Sequence, residues 1–369
     1  MKNLNSLFLE HGLYDRATLA GYADRHTVRL RMSDRFPHLG ILHYADDAVY
    51  GRGDWTDFTK ACRGVVVDFE NKKLLSHPYS KFFNLNEPEA PSIKELEKQK
   101  DFWSTEKLDG SMIILCWDEK TQQFFTTTKG SLDSEHGVYA TSLIPASVKD
   151  VKLVQSHTLM FELISPKFQI VVPYHKIGYE EGLYLIGVRH NMSEKVFNPD
   201  EVKAFAKQYG LKVYKTVAFP SLQAVIDNVK DLPYTEEGFV LVFQNGDMVK
   251  IKGQAYLKVH RFISTLSDKN LLDTMILGED KEIEDNLGSV PEEYRQDVID
   301  TFAKYRKEAV VFRSQCYELF AKCPRDDRKT FAQYVIANVT GEHKKFMFQL
   351  FDSKDITLQQ AYQVFRKRK

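Results

Sequence analysis

STEKLDGSMIIL (residues 104–115) sets a lysine, Lys107, at the edge of a strand-like run and follows it with Leu108, Asp109, Gly110 and Ser111. A strand built only for packing needs neither that lysine nor the Asp-Gly pair, so the stretch calls for a chemical use. Outward from it, between about residues 60 and 252, short alternating runs separated by turn signals read as strands. They are RGVVVDF (63–69), SMIILCW (111–117), QQFFTTTKG (122–130), HTLMFELI (157–164), GLYLIGV (182–188), EGFVLVF (237–243) and DMVKIKG (247–253). Turns are expected at Asn245-Gly246 and Lys129-Gly130. NPDEVKAFAKQYG (198–210) interrupts the strands as a helix, capped by Asn198, started by Pro199 and ended by Gly210. The pattern predicts an α+β domain around antiparallel sheet, which VRLRMSD (28–34) can extend.

After Tyr256 the period changes. Tyr294, Val298, Phe302, Tyr305, Ala309, Phe312, Cys316, Leu319 and Cys323 recur at spacings of three and four, giving one apolar stripe on a helix between Pro291 and Pro324. DDRKTFAQYVIANV (326–339) and TLQQAYQVFRK (357–367) each open with a capping residue and read as further helices. The expected division is residues 1–255 as the sheet-rich domain and 256–369 as an all-helical C-terminal domain, with no repeat or low-complexity linker between them. Charge in the helical part is uneven: residues 279–300 carry nine acids, and 304–345 carry ten Lys or Arg against five acids. The basic stretch can meet a phosphate backbone or simply be a solvated face.

With 369 residues, 43% of them hydrophobic, the chain is large enough for two cores. Its formal net charge of zero means that a nucleic-acid partner has to be met by a local basic surface. Cys62, Cys116, Cys316 and Cys323 show no metal or disulfide spacing and read as reduced thiols. Cys62, beside Arg63, could be an activated nucleophile or a small buried thiol. No apolar run approaches the roughly 20 residues of a membrane span, so a cytoplasmic protein is expected.

A lysine nucleophile must lose its proton, and moving its pKa from about 10.4 to near 7 takes roughly 4–5 kcal/mol, which nearby cations can supply. Lys250 and Lys252 in VKIK alternate onto one face, with Val249 and Ile251 on the other, and a paired ammonium face suits a phosphate. Glu162 and Glu237 each put an acid into an otherwise apolar strand, which is costly unless it is paired, hydrogen-bonded or on a metal. Arg63, Lys81 and Lys129 add positive charge to the same part of the chain. Gly110 lets the backbone turn after Lys107, with Asp109 and Ser111 fixing that turn.

The order K-x-D-G-S, an acid in an apolar strand, E-G-F-V, then K-x-K resembles the covalent lysine nucleotidyltransferases, the class of ligases and mRNA capping enzymes. CRGVVVDF (62–69), KFFNLNE (81–87), KLDGS (107–111), TKGSLDSE (128–135), MFELISP (160–166), EEGFVLVF (236–243), VKIK (249–252) and DRKTFA (327–332) together resemble the ATP-dependent RNA ligase 1 family of phage-type RNA-repair enzymes. The likeness runs from about residue 60 to the C-terminus. It implies an antiparallel-sheet adenylyltransferase (nucleotidyltransferase) domain followed by the helical domain, which would serve RNA or tRNA recognition. The barrel that follows the Lys-x-Lys strand in DNA ligases and capping enzymes has no counterpart here.

For the site, the resemblance implies Lys107 as the AMP-lysine nucleophile, with Lys250 and Lys252 as catalytic cations on the α-phosphate that also help keep Lys107 deprotonated. Arg63 and Lys81 would hold the β- and γ-phosphates, and Lys129, Asp109 and Gly110 would complete the ATP site. Glu237 would serve a magnesium or manganese ion, Glu162 the ribose and the metal, and Ile186 and Val240 would sandwich the adenine. Alternation from Glu237 brings Phe239 rather than Val240 to that face, unless Gly238 marks a bulge. The implied partners are ATP and RNA, with tRNA broken in its anticodon loop as the suggested substrate. No kinase-type phosphate loop is present, so end-healing would need a separate kinase/phosphatase. The alternatives are a tRNA-splicing type ligase with a different RNA-end requirement and a non-catalytic RNA-binding protein.

Overall fold

The computed structural model describes residues 3–49, 54–99, 101–265, 268–281 and 292–367. The expected helix start at Pro291 and the acids Glu282, Glu284 and Asp285 lie outside the described residues. The chain divides into two compact units, Met1–Leu257 and Lys258–Lys369. No helix among the described residues is long and apolar enough to cross a membrane.

The first unit holds thirteen strands among the described residues: β1 (Val28–Met32), β2 (Leu39–Tyr44), β3 (Arg63–Asp68), β4 (Lys73–Ser76), β5 (Phe83–Asn84), β6 (Phe102–Glu106), β7 (Ser111–Asp118), β8 (Gln123–Thr128), β9 (His157–Ile164), β10 (Gly182–His190), β11 (Lys212–Val213), β12 (Gly238–Phe243) and β13 (Met248–Lys252). They form three sheets, ordered β1-β2-β3-β4, β11-β10-β9-β7-β8 and β5-β13-β12-β6. Pairing is antiparallel except at two short parallel edges, β5 with β13 and β10 with β11.

Alternation explains how the sheets stack. Val65 and Val67 of β3 face the N-terminal helices Leu4–Glu10 and Arg16–Arg25, while Val66 faces the other way, onto Met112, Ile114 and Cys116 of β7. Val65, Val66 and Val67 run on without a polar break because both faces of β3 are covered. Phe239, Leu241 and Phe243 of β12 pack with Val249 and Ile251 of β13 against the helix Leu222–Asp231. The opposite face of those two strands is left for the cavity described below.

The chain turns after Lys107 as expected, and the turn changes sheets: Lys107 follows β6, and Leu108-Asp109-Gly110 crosses from the third sheet to β7 in the second. One sequence expectation changes. Lys129-Gly130 does not close a hairpin, since β8 runs on into the helix Glu135–Ser142. Asn245-Gly246 does join β12 to β13, with Gly246 at φ +90°. The helix Pro199–Tyr209 has its Asn198 capping box and ends on Gly210 in the left-handed region, φ +61°.

The second unit is helical. Its long helix, Glu292–Ala321, buries Val298, Phe302, Tyr305, Ala309, Phe312 and Cys316 in one core with residues of Asp268–Leu277, Arg328–Asn338, His343–Phe351 and Leu358–Lys367. Asp327 caps the helix Arg328–Asn338. All four cysteines are free and buried, and burial pushes the Cys62 thiol well above its ordinary value, so it is no activated nucleophile.

Candidate active site

The uncovered face of β12 and β13 closes a cavity of about 190 Å³ whose wall includes Arg63, Lys81, Lys107, Lys129, Glu162, Ile186, Val240, Lys250 and Lys252. Each sheet contributes, so residues from 63 to 252 meet in one place. Lys250 and Lys252 line the cavity while Val249 and Ile251 are core, as alternation requires.

Glu237 lies at the centre of the charge pattern. Its carboxylate is buried and bridges two ammonium groups, Oε2 accepting from Lys107 Nζ at 2.7 Å and Oε1 from Lys252 Nζ at 2.8 Å. Gly238 makes that geometry possible. In β12 it pairs with Lys252, and Val240 pairs with Lys250, which puts Val240 on the cavity face and Phe239 in the core. Regular extension would then turn Glu237 away. Instead Gly238 takes φ +137°, and a Cβ there would lie 2.1 Å from the Ile251 carbonyl oxygen. The conflict over Val240 is thus resolved by one non-extended glycine rather than by a register shift.

Glu162, on β9, accepts from the Gly110 amide at 3.0 Å. A Cβ on Gly110 would sit 2.3 Å from the Leu163 carbonyl oxygen, so the crossover can run this close to β9 only as glycine. Asp109 and Gly110 are not among the residues that line the cavity. The Asp109 carboxylate is turned inward, accepting from the amides of Val171 at 2.8 Å and Val172 at 3.0 Å and from the Tyr256 hydroxyl at 2.8 Å. It anchors the crossover. Ser111 Oγ is 2.6 Å from His136 Nδ1.

The electrostatics reverse one expectation. Burial pulls the Lys107 ammonium towards a lower pKa, but Glu237 and then Glu162 outweigh it and hold the group above its ordinary value. The cation-driven depression falls on Lys250 instead: burial first, then Lys81, Lys107, Lys252 and Arg63, bring it down to about 7. The expectation that Lys250 and Lys252 keep Lys107 deprotonated misjudged the paired acid, which lies 130 residues away in the chain. Burial pushes Glu162 up to about 7, with Lys107 only partly offsetting it.

Aromatic side chains that the sequence did not single out complete the site. Phe82 has Arg63 5.7 Å and Lys250 5.8 Å from its ring centre. Lys81 Nζ sits among Tyr44, Trp55 and Phe83 at 5.8, 5.6 and 4.9 Å from their centres. Burial would raise the Tyr44 phenol, but Lys129, Arg63 and Lys81 bring it below its ordinary value. Phe82 and Phe83 stand next to Lys81 in KFFNLNE, a usable signal. Tyr44 and Trp55 lie before the recognisable strings, where the sequence offered no signal.

No cluster of three or more His, Cys, Asp or Glu suited to a metal occurs among the described residues. The pair Glu162 and Glu237 does suit a divalent cation that takes its other ligands from water and phosphate. The Glu162 carboxyl, raised first by burial and further by Glu237, is a group whose charged form a bound cation would favour.

Against known proteins, residues 61–257 match the family described as RNA ligase. The RNA ligase of Rhodothermus phage RM378 is 26% identical over 284 residues, covering 58% of this chain and 63% of that protein. The RNA ligase 1 of bacteriophage TS2126 is 28% identical over 141 residues, 34% of this chain and 33% of that protein. This chain therefore spans less than two thirds of these relatives' length. An archaeal ATP-dependent RNA ligase superposes with a TM-score of 0.52 at 11% identity, covering 95% of this chain and 99% of its own, and so shares the fold. Since the family match takes in more than half of the chain, including Arg63, Lys107, Glu162, Glu237 and Lys252, this protein belongs to the RNA ligase family.

Proposed function

We propose that the protein is an ATP-dependent RNA ligase that joins 5′-phosphate and 3′-hydroxyl RNA ends through a lysyl-AMP intermediate. The observation that carries this is Lys107, half-buried and paired with the buried Glu237 in a wall shared with Arg63, Lys81, Lys129, Lys250 and Lys252. Phosphoryl transfer asks the protein for positioning and charge stabilisation, and this is a cationic cage around one candidate nucleophile.

In the first step Lys107 Nζ, having given up a proton, attacks the α-phosphorus of ATP; the bond to the bridging oxygen breaks and pyrophosphate leaves. In the second, an RNA 5′-phosphate oxygen attacks the same phosphorus, and AMP leaves Lys107 for the RNA end. In the third, a 3′-hydroxyl attacks the RNA phosphate, expelling AMP and closing the phosphodiester. Lys250 and Lys252 hold the α-phosphate, and Arg63 and Lys81 orient the leaving pyrophosphate, with Lys129 beside them. Ile186 and Val240 flank the base. Glu162 and Glu237 would hold a magnesium or manganese ion, which when bound neutralises phosphate charge and draws carboxylate charge away from Lys107.

The helical unit would recognise the RNA, with a tRNA broken in its anticodon loop as the substrate class. A separate kinase/phosphatase would heal the ends, and the setting is bacterial or phage-infected cytoplasm. The test is incubation with magnesium and ATP labelled on its α-phosphate, followed by denaturation. Wild type should keep an acid-labile label that Lys107→Ala lacks. No label on wild type would leave only non-covalent RNA binding.

A further inference from the structure

A groove of about 1230 Å³ adjoins the nucleotide cavity and shares with it the residues Tyr79, Lys81, Phe82, Val242 and Met248. Arg189, from β10, contributes to its wall. This arginine is 7% exposed, yet its guanidinium makes no hydrogen bond or ion pair among the described residues. The acid whose charge acts on it, Glu194, forms no ion pair with it, is already engaged by the Leu4 amide at 2.6 Å and lies 3.4 Å from His77 Nδ1. A buried, unpaired guanidinium is costly to keep. Nε alone is sealed from solvent, so the two Nη nitrogens are the part that can meet a ligand in the groove. Their planar fork matches two oxygens of one phosphate.

The rest of the groove wall mixes charge with aromatic surface. Lys60 and Lys98 add positive charge; of the acids there, Glu95, Glu201 and Asp247 are engaged by Ser92, Lys195 and Asn245, Glu89 being the fourth, and Phe82, Trp103 and Phe197 supply aromatic surface. Trp103 is fixed by its Nε1, which donates to Asp200 at 2.8 Å. Cations that follow a backbone, interleaved with rings on which bases stack, make a single-strand platform. At this volume the groove has room for more than one nucleotide, and it opens onto the place where Lys107 stands.

We propose that this groove is the track along which a single-stranded polynucleotide reaches the active site, with Arg189 binding one of its backbone phosphates. This rests on the sealing activity proposed above and adds to it where the RNA end lies. The test is fluorescence anisotropy with a 5′-phosphorylated 12-nucleotide RNA, labelled at its 3′ end, and with DNA of the same sequence. The proteins are wild type, Arg189→Met and Lys98→Glu, the last an exposed change that leaves the core untouched.

Arg189→Met is expected to weaken binding at least tenfold and to reduce the salt slope by about 1, and Lys98→Glu to weaken it about threefold. An equal loss with DNA assigns the contact to the phosphodiester backbone, and a loss with RNA alone assigns it to an RNA strand. Labelling by ATP alone is read on the same variants. Wild-type RNA affinity in both variants overturns the proposal, and so does Arg189→Met losing the ATP label while still binding RNA. If Arg189→Met does not fold, Lys98→Glu decides by the same criterion. An unlabelled wild type whose RNA binding still falls in the variants would sink the ligase reading and leave the track standing.

Discussion

Lys107 and Lys250 occupy one cavity, and their surroundings move them in opposite directions. Lys107 is held as an ammonium by Glu237, whereas Lys250 has no acid within ion-pair distance among the described residues and is brought down to about 7. For Lys250 the folded pKa lies below the unfolded one, so its stability contribution is complete above the unfolded value near 10.5 and is lost as pH falls towards and through 7. Lys250→Met should therefore stabilise the protein, and more so at pH 6.5 than at pH 9.5. Allowing for solvent screening, the gain at the lower pH should be roughly 1–2 kcal/mol, read by thermal melts at both pH values. The same variant should form the ATP adduct at least tenfold more slowly, the usual opposition between stability and function. None of this was legible in VKIK, because alternation gives the face of a lysine and not the charges across from it.

At the scale of elements, most strands could be read from their alternation, and the helices around residues 199–209 and 328–338 from their caps. The partition into three sheets could not, because deciding partners lie far apart in the chain: β6 pairs with β12, and β7 with β9. The site residues in recognisable strings were found. Tyr44 and Trp55 were missed, because an aromatic that cages a lysine has the same local pattern as one in a core. Gly238 decides the outcome for β12. Gly238→Ala would need φ +137° and would bring a Cβ against the Ile251 carbonyl oxygen. It should cost roughly 2–4 kcal/mol in urea unfolding and abolish the ATP adduct, since relief of the clash turns Glu237 from the cavity. Glu237→Gln leaves Gly238 and the strand backbone in place and should slow adduct formation at least a hundredfold, which separates loss of the carboxylate from movement of the strand.

At the scale of the whole molecule, every cavity residue falls in the unit Met1–Leu257, and the helical unit has a hydrophobic core of its own. A chain ending at residue 265 should therefore still label with ATP, within about threefold of the full-length rate, while its sealing of RNA falls by at least tenfold. Labelling lost from that chain, with its circular dichroism unchanged, would show that the helical unit takes part in the first step. The Glu237 bridge also bears on the protein at rest. A lysine tied to a carboxylate is shielded from stray electrophiles, so the free protein keeps its proposed nucleophile chemically quiet until a substrate arrives. An amine-reactive ester at pH 7.5 should accordingly modify Lys250 well before Lys107, as peptide mass spectrometry would show; the amine that reacts first is then not the one proposed to carry AMP.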